Sequence, residues 1–299
     1  MIDVVITSYK EPETIGRAVE GFLKQDVKEE YNIWVVAPDK ETLDVAKSYG
    51  KRVKTFVDPG KGKSYALNQI LPKLAGRIFV LSDGDVFIKE NSLKHLIAPF
   101  EDLRVGCVSG RPVSMDSKSN IFGYWSHLLC DAGAHGARLK RAERGEFLEC
   151  SGYLWAFRNG IIKNFPLDVA EDTIVPYLFR ERGYKIAYAP KAEVYVTFPK
   201  NLKDFIEQKK RTAKAHESLG KYFDIKRLPR TKSFRNEISE GHRALFYPKG
   251  LKQVFYTMML FPVRLYIWAL VFYQISVKKE HYRDAWQRVE STKYNERPK

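Results

Sequence analysis

Four short apolar, β-branched runs punctuate the first hundred positions: Val4–Thr7, Ile33–Ala37, Val53–Val57 and Ile78–Ser82. Each predicts a buried strand. Between them, apolar residues recur at helical spacing over Pro12–Lys24, Glu41–Tyr49 and Ser64–Leu74, with Pro12 suited to a first helical turn. Strands and helices alternating through short links predict an α/β fold, doubly wound, with a mostly parallel sheet and helices on both faces. Ligands of such sheets gather at the carboxyl ends of the strands. That singles out Ser8-Tyr9-Lys10-Glu11, Pro38-Asp39, Asp58-Pro59-Gly60-Lys61-Gly62-Lys63 and Asp83-Gly84-Asp85.

Further along, Val105–Ser109 predicts another strand, and 120–145 is helical or loop-like. Phe147–Phe157 is an apolar run around Cys150-Ser151-Gly152, and Glu171–Arg182 predicts a helix ended by Gly183. Ile186–Ala189 and Val194–Thr197 predict two short strands, followed by a basic helix over Leu202–Gly220. The pattern then changes. Val254–Val277 carries a single charge, Arg264, and is flanked by Lys249, Lys252, Lys278 and Lys279. Its length suits a membrane span, but Pro262 and Arg264 lie near its centre, and a central arginine costs ~2.5–3.5 kcal/mol on insertion scales. A span, a helix lying in the interface, and core or dimer packing all remain open. The flanking lysines together with Tyr256, Tyr266, Trp268 and Tyr273 favour a membrane surface.

Charge sharpens this division. The 299-residue chain carries a net +15, but residues 1–199 hold 28 basic against 26 acidic side chains, whereas 200–299 hold 23 against 10. The basicity of the last third predicts a surface that faces a polyanion. Three cysteines, Cys107, Cys130 and Cys150, at irregular spacing give neither a disulfide framework nor a zinc motif, which suits a reducing compartment. No secretory signal is visible at the N-terminus.

Several residues can carry chemistry, and each also has a bland reading. Asp83 and Asp85 at a strand end can share a hard cation with a diphosphate, or simply form a turn. The loop with Lys61 and Lys63 precedes a helix N-terminus and can cradle an anion, although it matches neither a P-loop nor GxGxxG. Glu171 and Asp172 complement a helix dipole, or supply a general base. Gln208 and Arg211 share one face of the basic helix, which is either solvated or functional.

Taken in order, these motifs resemble the family 2 glycosyltransferases of GT-A fold, in the branch of the cellulose, chitin and hyaluronan synthase-like catalytic domains. The resemblance covers roughly residues 2–215. It implies a Rossmann-like GT-A domain at 1–200; the charge and hydropathy patterns add a basic helical region at 201–253 and a membrane-associating tail at 254–299. It places the nucleotide base by Thr7, Tyr9 and Glu11, with Asp39 on the uracil ring and Lys63 in the nucleotide loop; Lys61 of the same loop is read from its charge alone. Asp83 falls at the ribose, Asp85 on Mg²⁺ or Mn²⁺, and Ser151 and Gly152 along the sugars. Asp172 matches the catalytic base with Glu171 beside it, and Gln208 and Arg211 match the synthase motif, in which arginine suits pyrophosphate.

Two positions depart from the family. Thr212 stands where the synthase motif has Trp, and Ala170 precedes Glu171-Asp172 where the family has Thr. The long helices of a polysaccharide channel are also missing from the pattern. These departures favour addition of one sugar over processive synthesis. The expected activity is therefore an inverting, metal-dependent transfer from a nucleotide-sugar, UDP-linked by the Asp39 argument, to a lipid or lipid-linked saccharide at the cytoplasmic face of a membrane. A homo-oligomer is compatible with this. Within the same class stand a polyprenyl-phosphate sugar synthase and a polysaccharide synthase; outside it stand an inactive scaffold and a nucleic-acid-binding protein. The last is disfavoured because the aromatic residues of the final third gather in an almost uncharged run rather than among the lysines.

Overall fold

The computed structural model describes residues 1–228, 230–286 and 290–292. The remaining positions of the expected 254–299 tail lie outside the described residues. Among the described residues eight strands form one sheet: β1 (Ile2–Thr7), β2 (Tyr31–Ala37), β3 (Val53–Val57), β4 (Ile78–Asp83), β5 (Phe87–Ile88), β6 (Val105–Ser114), β7 (Leu154–Arg158) and β8 (Lys185–Val196). Their order is β3-β2-β1-β4-β7-β6-β8-β5. The first four run parallel, as do β6 and β8, while β7 opposes both β4 and β6, and β5 opposes β8. Strand order reverses between β1 and its neighbours β2 and β4, which opens a crevice at their carboxyl ends.

Alternate side chains of the central strands feed two cores. Val4 and Ile6 of β1 pack with α1 (Ile15–Leu23), α2 (Lys40–Lys47) and, further along, α4 (Ser92–Ile97); Val5 packs on the other face with α3 (Lys63–Ile70). Every residue of β1 is buried, the expected result when helices cover both faces. Next come α5 (Ile121–Leu128), a π-wound segment Leu129–His135, α6 (Gly136–Glu143), and α7 (Glu171–Glu181), which joins the second core. After β8 follow α8 (Leu202–Glu217), α9 (Phe234–Glu240), α10 (His242–Leu245) and α11 (Leu251–Phe272).

Some boundaries differ from the sequence pattern for local reasons. The two strands expected over Ile186–Thr197 are one, β8, because Pro190 sits where the ladder to β6 shifts register instead of ending. Helix α1 begins at Ile15 rather than Pro12, since the Glu11 carbonyl accepts the N–H groups of Thr14 and Ile15 in a preceding turn. Only the end of the Phe147–Phe157 run becomes a strand. Before it, the Ser151 N–H donates to Ser109 Oγ at 3.0 Å.

Helix α11 shows why an arginine interrupts an apolar run. Leu251–Val277 is long and apolar enough, by length and composition, to cross a membrane. Yet Leu260, Ile267, Trp268 and Val271 are buried in a third core with Tyr124 and Trp125 of α5 and Phe205 of α8. Arg264 makes a two-armed pair with Glu237 of α9, which also accepts the Trp268 indole N–H at 2.8 Å. The opposite face leaves Phe255, Met258, Met259 and Tyr266 exposed.

Candidate active site

The chain leaves β1 through a tight loop in which Lys10 adopts a positive φ of 55°. The loop closes on the end of β4: Thr7 Oγ1 donates to Asp83 Oδ1 at 3.2 Å, and the Gly84 N–H donates to the Thr7 carbonyl at 2.9 Å. Gly84 is required by this approach, because a Cβ there would lie 2.3 Å from Ser8 Oγ and 2.8 Å from Glu11 Oε2. Glu11, Asp83 and Asp85 are thereby drawn together. Burial, then the charges of Asp85 and Asp83, push Glu11 up to about 8 although Ser8 Oγ donates to it at 2.6 Å.

Such a surplus of carboxylate charge fits a hard divalent cation. No group of three or more His, Cys, Asp or Glu closes around one point among the described residues. One or two carboxylates here would supply part of a Mg²⁺ or Mn²⁺ shell, with ligand oxygens completing it, as magnesium sites on nucleotides do.

Lys63, the first residue of α3, ties this corner to the next. Its Nζ lies 2.6 Å from Asp83 Oδ1 and 2.8 Å from Glu171 Oε1. Burial disfavours the ammonium, but the two carboxylates outweigh it and hold the pKa well above the ordinary value. Glu171 is thus paired with a cation, while its neighbour Asp172 has no salt-bridge partner within 4 Å among the described residues. Burial and then the Glu171 charge push Asp172 up to about 6. Gly152 lets the segment before β7 approach it, since a Cβ there would sit 2.9 Å from Asp172 Oδ2.

Thr7, Tyr9, Glu11, Lys63, Asp83, Asp85, Ser151, Gly152, Glu171, Asp172, Gln208 and Arg211 all line one cavity of about 970 Å³. Gln208 Oε1 is buried there without a hydrogen-bond partner. At its far end the cavity is walled by Leu260, Phe261, Leu265 and Trp268 of α11. Asp39 and Lys61 do not join the lining. Asp39 caps α2, accepting the Thr42 N–H at 3.0 Å, and also accepts the Lys10 N–H at 2.7 Å. Lys61 is exposed, its ammonium 5.3 Å from the centre of the Tyr65 ring.

Several lining residues were not singled out by sequence. Lys209 faces the cavity near Arg264, and burial followed by that like charge lowers it to about 7. Asp58, just after β3 and already singled out by sequence, lies outside the lining; it is 3% exposed, and its Oδ2 has no partner. Tyr282, Asp284 and Trp286 reach the lining from the far end of the chain. The Asp-Pro-Gly turn marked Asp58 as a strand-end residue; no local signal marked the other four.

Comparison with known proteins decides the family. The model described as "Glycosyltransferase like family 2" matches residues 2–215, nearly three quarters of the chain. The chain belongs to this family. It is 27% identical over 236 residues, 73% of its own length, to the poly-beta-1,6-N-acetyl-D-glucosamine synthase of Staphylococcus aureus (strain COL). It spans about half, 55%, of that relative. A shorter match, 30% identical over 31% of this chain and 22% of the other, is to the beta-monoglucosyldiacylglycerol synthase of Trichormus variabilis. Among solved structures, a mannosyltransferase from Pyrobaculum calidifontis in complex with GDP-Man and Mn²⁺ superposes with a TM-score of 0.63 at 16% identity, covering 93% of this chain and 88% of that one. An S. aureus TarS fragment superposes at 0.51 and 15% identity, covering 93% and 75%. The fold is GT-A, with a C-terminal helix added.

Proposed function

We propose that this family 2 glycosyltransferase moves a single sugar from a nucleotide-sugar to a hydroxyl of a membrane lipid or lipid-linked glycan, with inversion. The observation that carries this reading is one continuous cavity, which joins the carboxylates at the strand ends to the apolar residues of α11. A polar donor and an acceptor with an apolar portion fit its two ends.

Residues 1–200 act as the donor-binding and catalytic domain, 201–253 as a basic region and 254–299 as a membrane-associating tail. Asp172 takes the proton from the acceptor hydroxyl, and its pKa of about 6 suits a base that is ionised yet still receptive near neutral pH. Lys63 holds Glu171, and so the start of α7, against Asp83. Arg211 and Gln208 face the departing diphosphate from α8. Asp85, with Asp83 and Glu11 nearby, would hold Mg²⁺ or Mn²⁺, whose chemistry is to neutralise the diphosphate as it leaves. One base suffices because that leaving group needs charge neutralisation and no proton.

The exposed face of α11, together with Lys249, Lys252, Lys278 and Lys279, matches a helix lying in an anionic interface. Its other face is packed against the protein and cannot face lipid. Catalysis would then occur at the cytoplasmic face, where nucleotide-sugars are made.

The test is nucleotide release from a panel of UDP- and GDP-sugars with Mn²⁺ or Mg²⁺, with and without membrane lipid extract. Metal-dependent release of one nucleotide, stimulated by lipid, is expected. Silence across the panel, with no nucleotide binding by calorimetry, would overturn the reading.

A further inference from the structure

We propose that the segment Tyr282–Trp286 is an intramolecular competitor of the donor nucleotide, docked in the cleft until displaced. The inference rests on the nucleotide-sugar reading above. Inward and outward positions alternate along it: Tyr282, Asp284 and Trp286 are partly buried, whereas His281, Arg283 and Ala285 are exposed. Its span is at most about 14 Å when extended, the length scale of an extended nucleoside diphosphate.

Each inward side chain imitates part of such a ligand. The Trp286 indole stacks on Tyr9, with ring centres 5.5 Å apart and planes 4° from parallel. Its N–H points to Asp58 Oδ1 at 3.5 Å, beside the unpartnered Oδ2 of the same buried carboxylate. A flat aromatic platform next to a buried acceptor is a seat for a planar base with ring N–H donors.

The Asp284 carboxylate accepts the N–H groups of Lys63 and Tyr65, both at 3.1 Å, at the start of α3. It presses on Gly62, whose φ is 129° and where a Cβ would lie 2.4 Å from Asp284 Oδ2. An anion thus occupies the glycine cradle at a helix N-terminus, where phosphate is favoured for the same reasons. Tyr282 completes the series in the cavity near Glu171, Asp172 and Arg211.

Burial, with the Glu171 charge adding to it, pushes Asp284 up to about 6, so docking the ionised carboxylate carries an electrostatic cost above that pH. Tethering gives the tail a high effective concentration. Docking in about nine chains of ten would weaken apparent nucleotide affinity about tenfold.

The experiment titrates UDP and GDP with Mn²⁺ into the full chain, into Asp284→Ala and into Trp286→Ala, with amide exchange at Lys63 and Tyr65 measured alongside. Both variants should bind the preferred nucleotide about tenfold more tightly, and the two amides should exchange faster in Asp284→Ala. Equal or weaker affinity in both variants, or unchanged exchange, overturns the competitor while leaving the donor reading intact. Absence of binding in all three proteins removes the donor reading, and the competitor with it.

Discussion

The two walls of the cleft are built on different terms. The wall formed by β1, β4 and α3 is a short-range construction of charges. Thr7, Asp83, Lys63 and Glu171 are linked by contacts of 2.6–3.2 Å, and a glycine stands wherever backbone must come close. The opposite wall, from α8 and α11, is apolar and basic and is held by packing between helices distant in sequence. The first wall suits a small, highly charged ligand that must be placed within tenths of an ångström. The second suits a larger acceptor with an apolar portion. Asp172 stands where they meet.

The largest effect should come from that junction. Asp172→Asn is expected to lower turnover about 10²–10⁴-fold, with nucleotide affinity nearly unchanged in calorimetry; near-normal turnover would remove the assignment. In the parent chain the rate should fall on the acid side with a midpoint near 6, because only the ionised carboxylate accepts a proton. The sign for stability is opposite. A folded pKa raised from 3.8 to about 6 contributes stability that is full below about 4 and lost as pH rises through 6.

Next in size is the ionic clasp of the first wall. Lys63→Met leaves Asp83 and Glu171 facing each other without their shared cation, and should cost about 3 kcal/mol in urea unfolding. A loss below ~1 kcal/mol would mean the clasp is no stronger than a surface pair. The second wall should respond differently. Phe255→Ser combined with Met258→Ser alters only exposed positions, so stability should stay within ~0.5 kcal/mol. Binding to vesicles containing anionic lipid should nevertheless weaken about tenfold in sedimentation, since each side chain removes apolar area from the interface. Deleting 254–299 is a poorer test, because it also strips Leu260, Ile267, Trp268 and Val271 from the third core.

The same division explains what was legible in sequence. The first wall follows from strand periodicity and strand-end residues, so Thr7, Tyr9, Glu11, Asp83, Asp85 and Lys63 all fall on the cavity. Asp39 looked identical by that criterion, yet its carboxylate is occupied by Thr42 and Lys10; capping and ligand binding use the same residue type at the same kind of position. The apolar run 254–277 was visible, but which of its faces is buried depends on Tyr124, Trp125 and Phe205, far away in sequence. Arg264 acquires meaning only through Glu237. The alternation of Tyr282, Asp284 and Trp286 is too short to signal a strand, and its partners Tyr9, Asp58 and α3 lie more than 200 positions earlier.

The smallest expected effect isolates how one wall tunes the other. Glu171 raises the Asp172 pKa by its charge, while Lys63, held between Glu171 and Asp83, lowers it. Glu171→Gln removes the raising charge and leaves Lys63 paired with Asp83 alone, so both changes favour ionised Asp172. The acid limb of the rate profile should move down by roughly half to one pH unit, with the plateau rate changed far less than in Asp172→Asn. A limb that stays in place would mean that burial alone sets the base, and that the two walls meet at Asp172 without electrostatic coupling. A limb that moves upward would point to loss of the Lys63 position, which a second profile from Lys63→Met would reproduce.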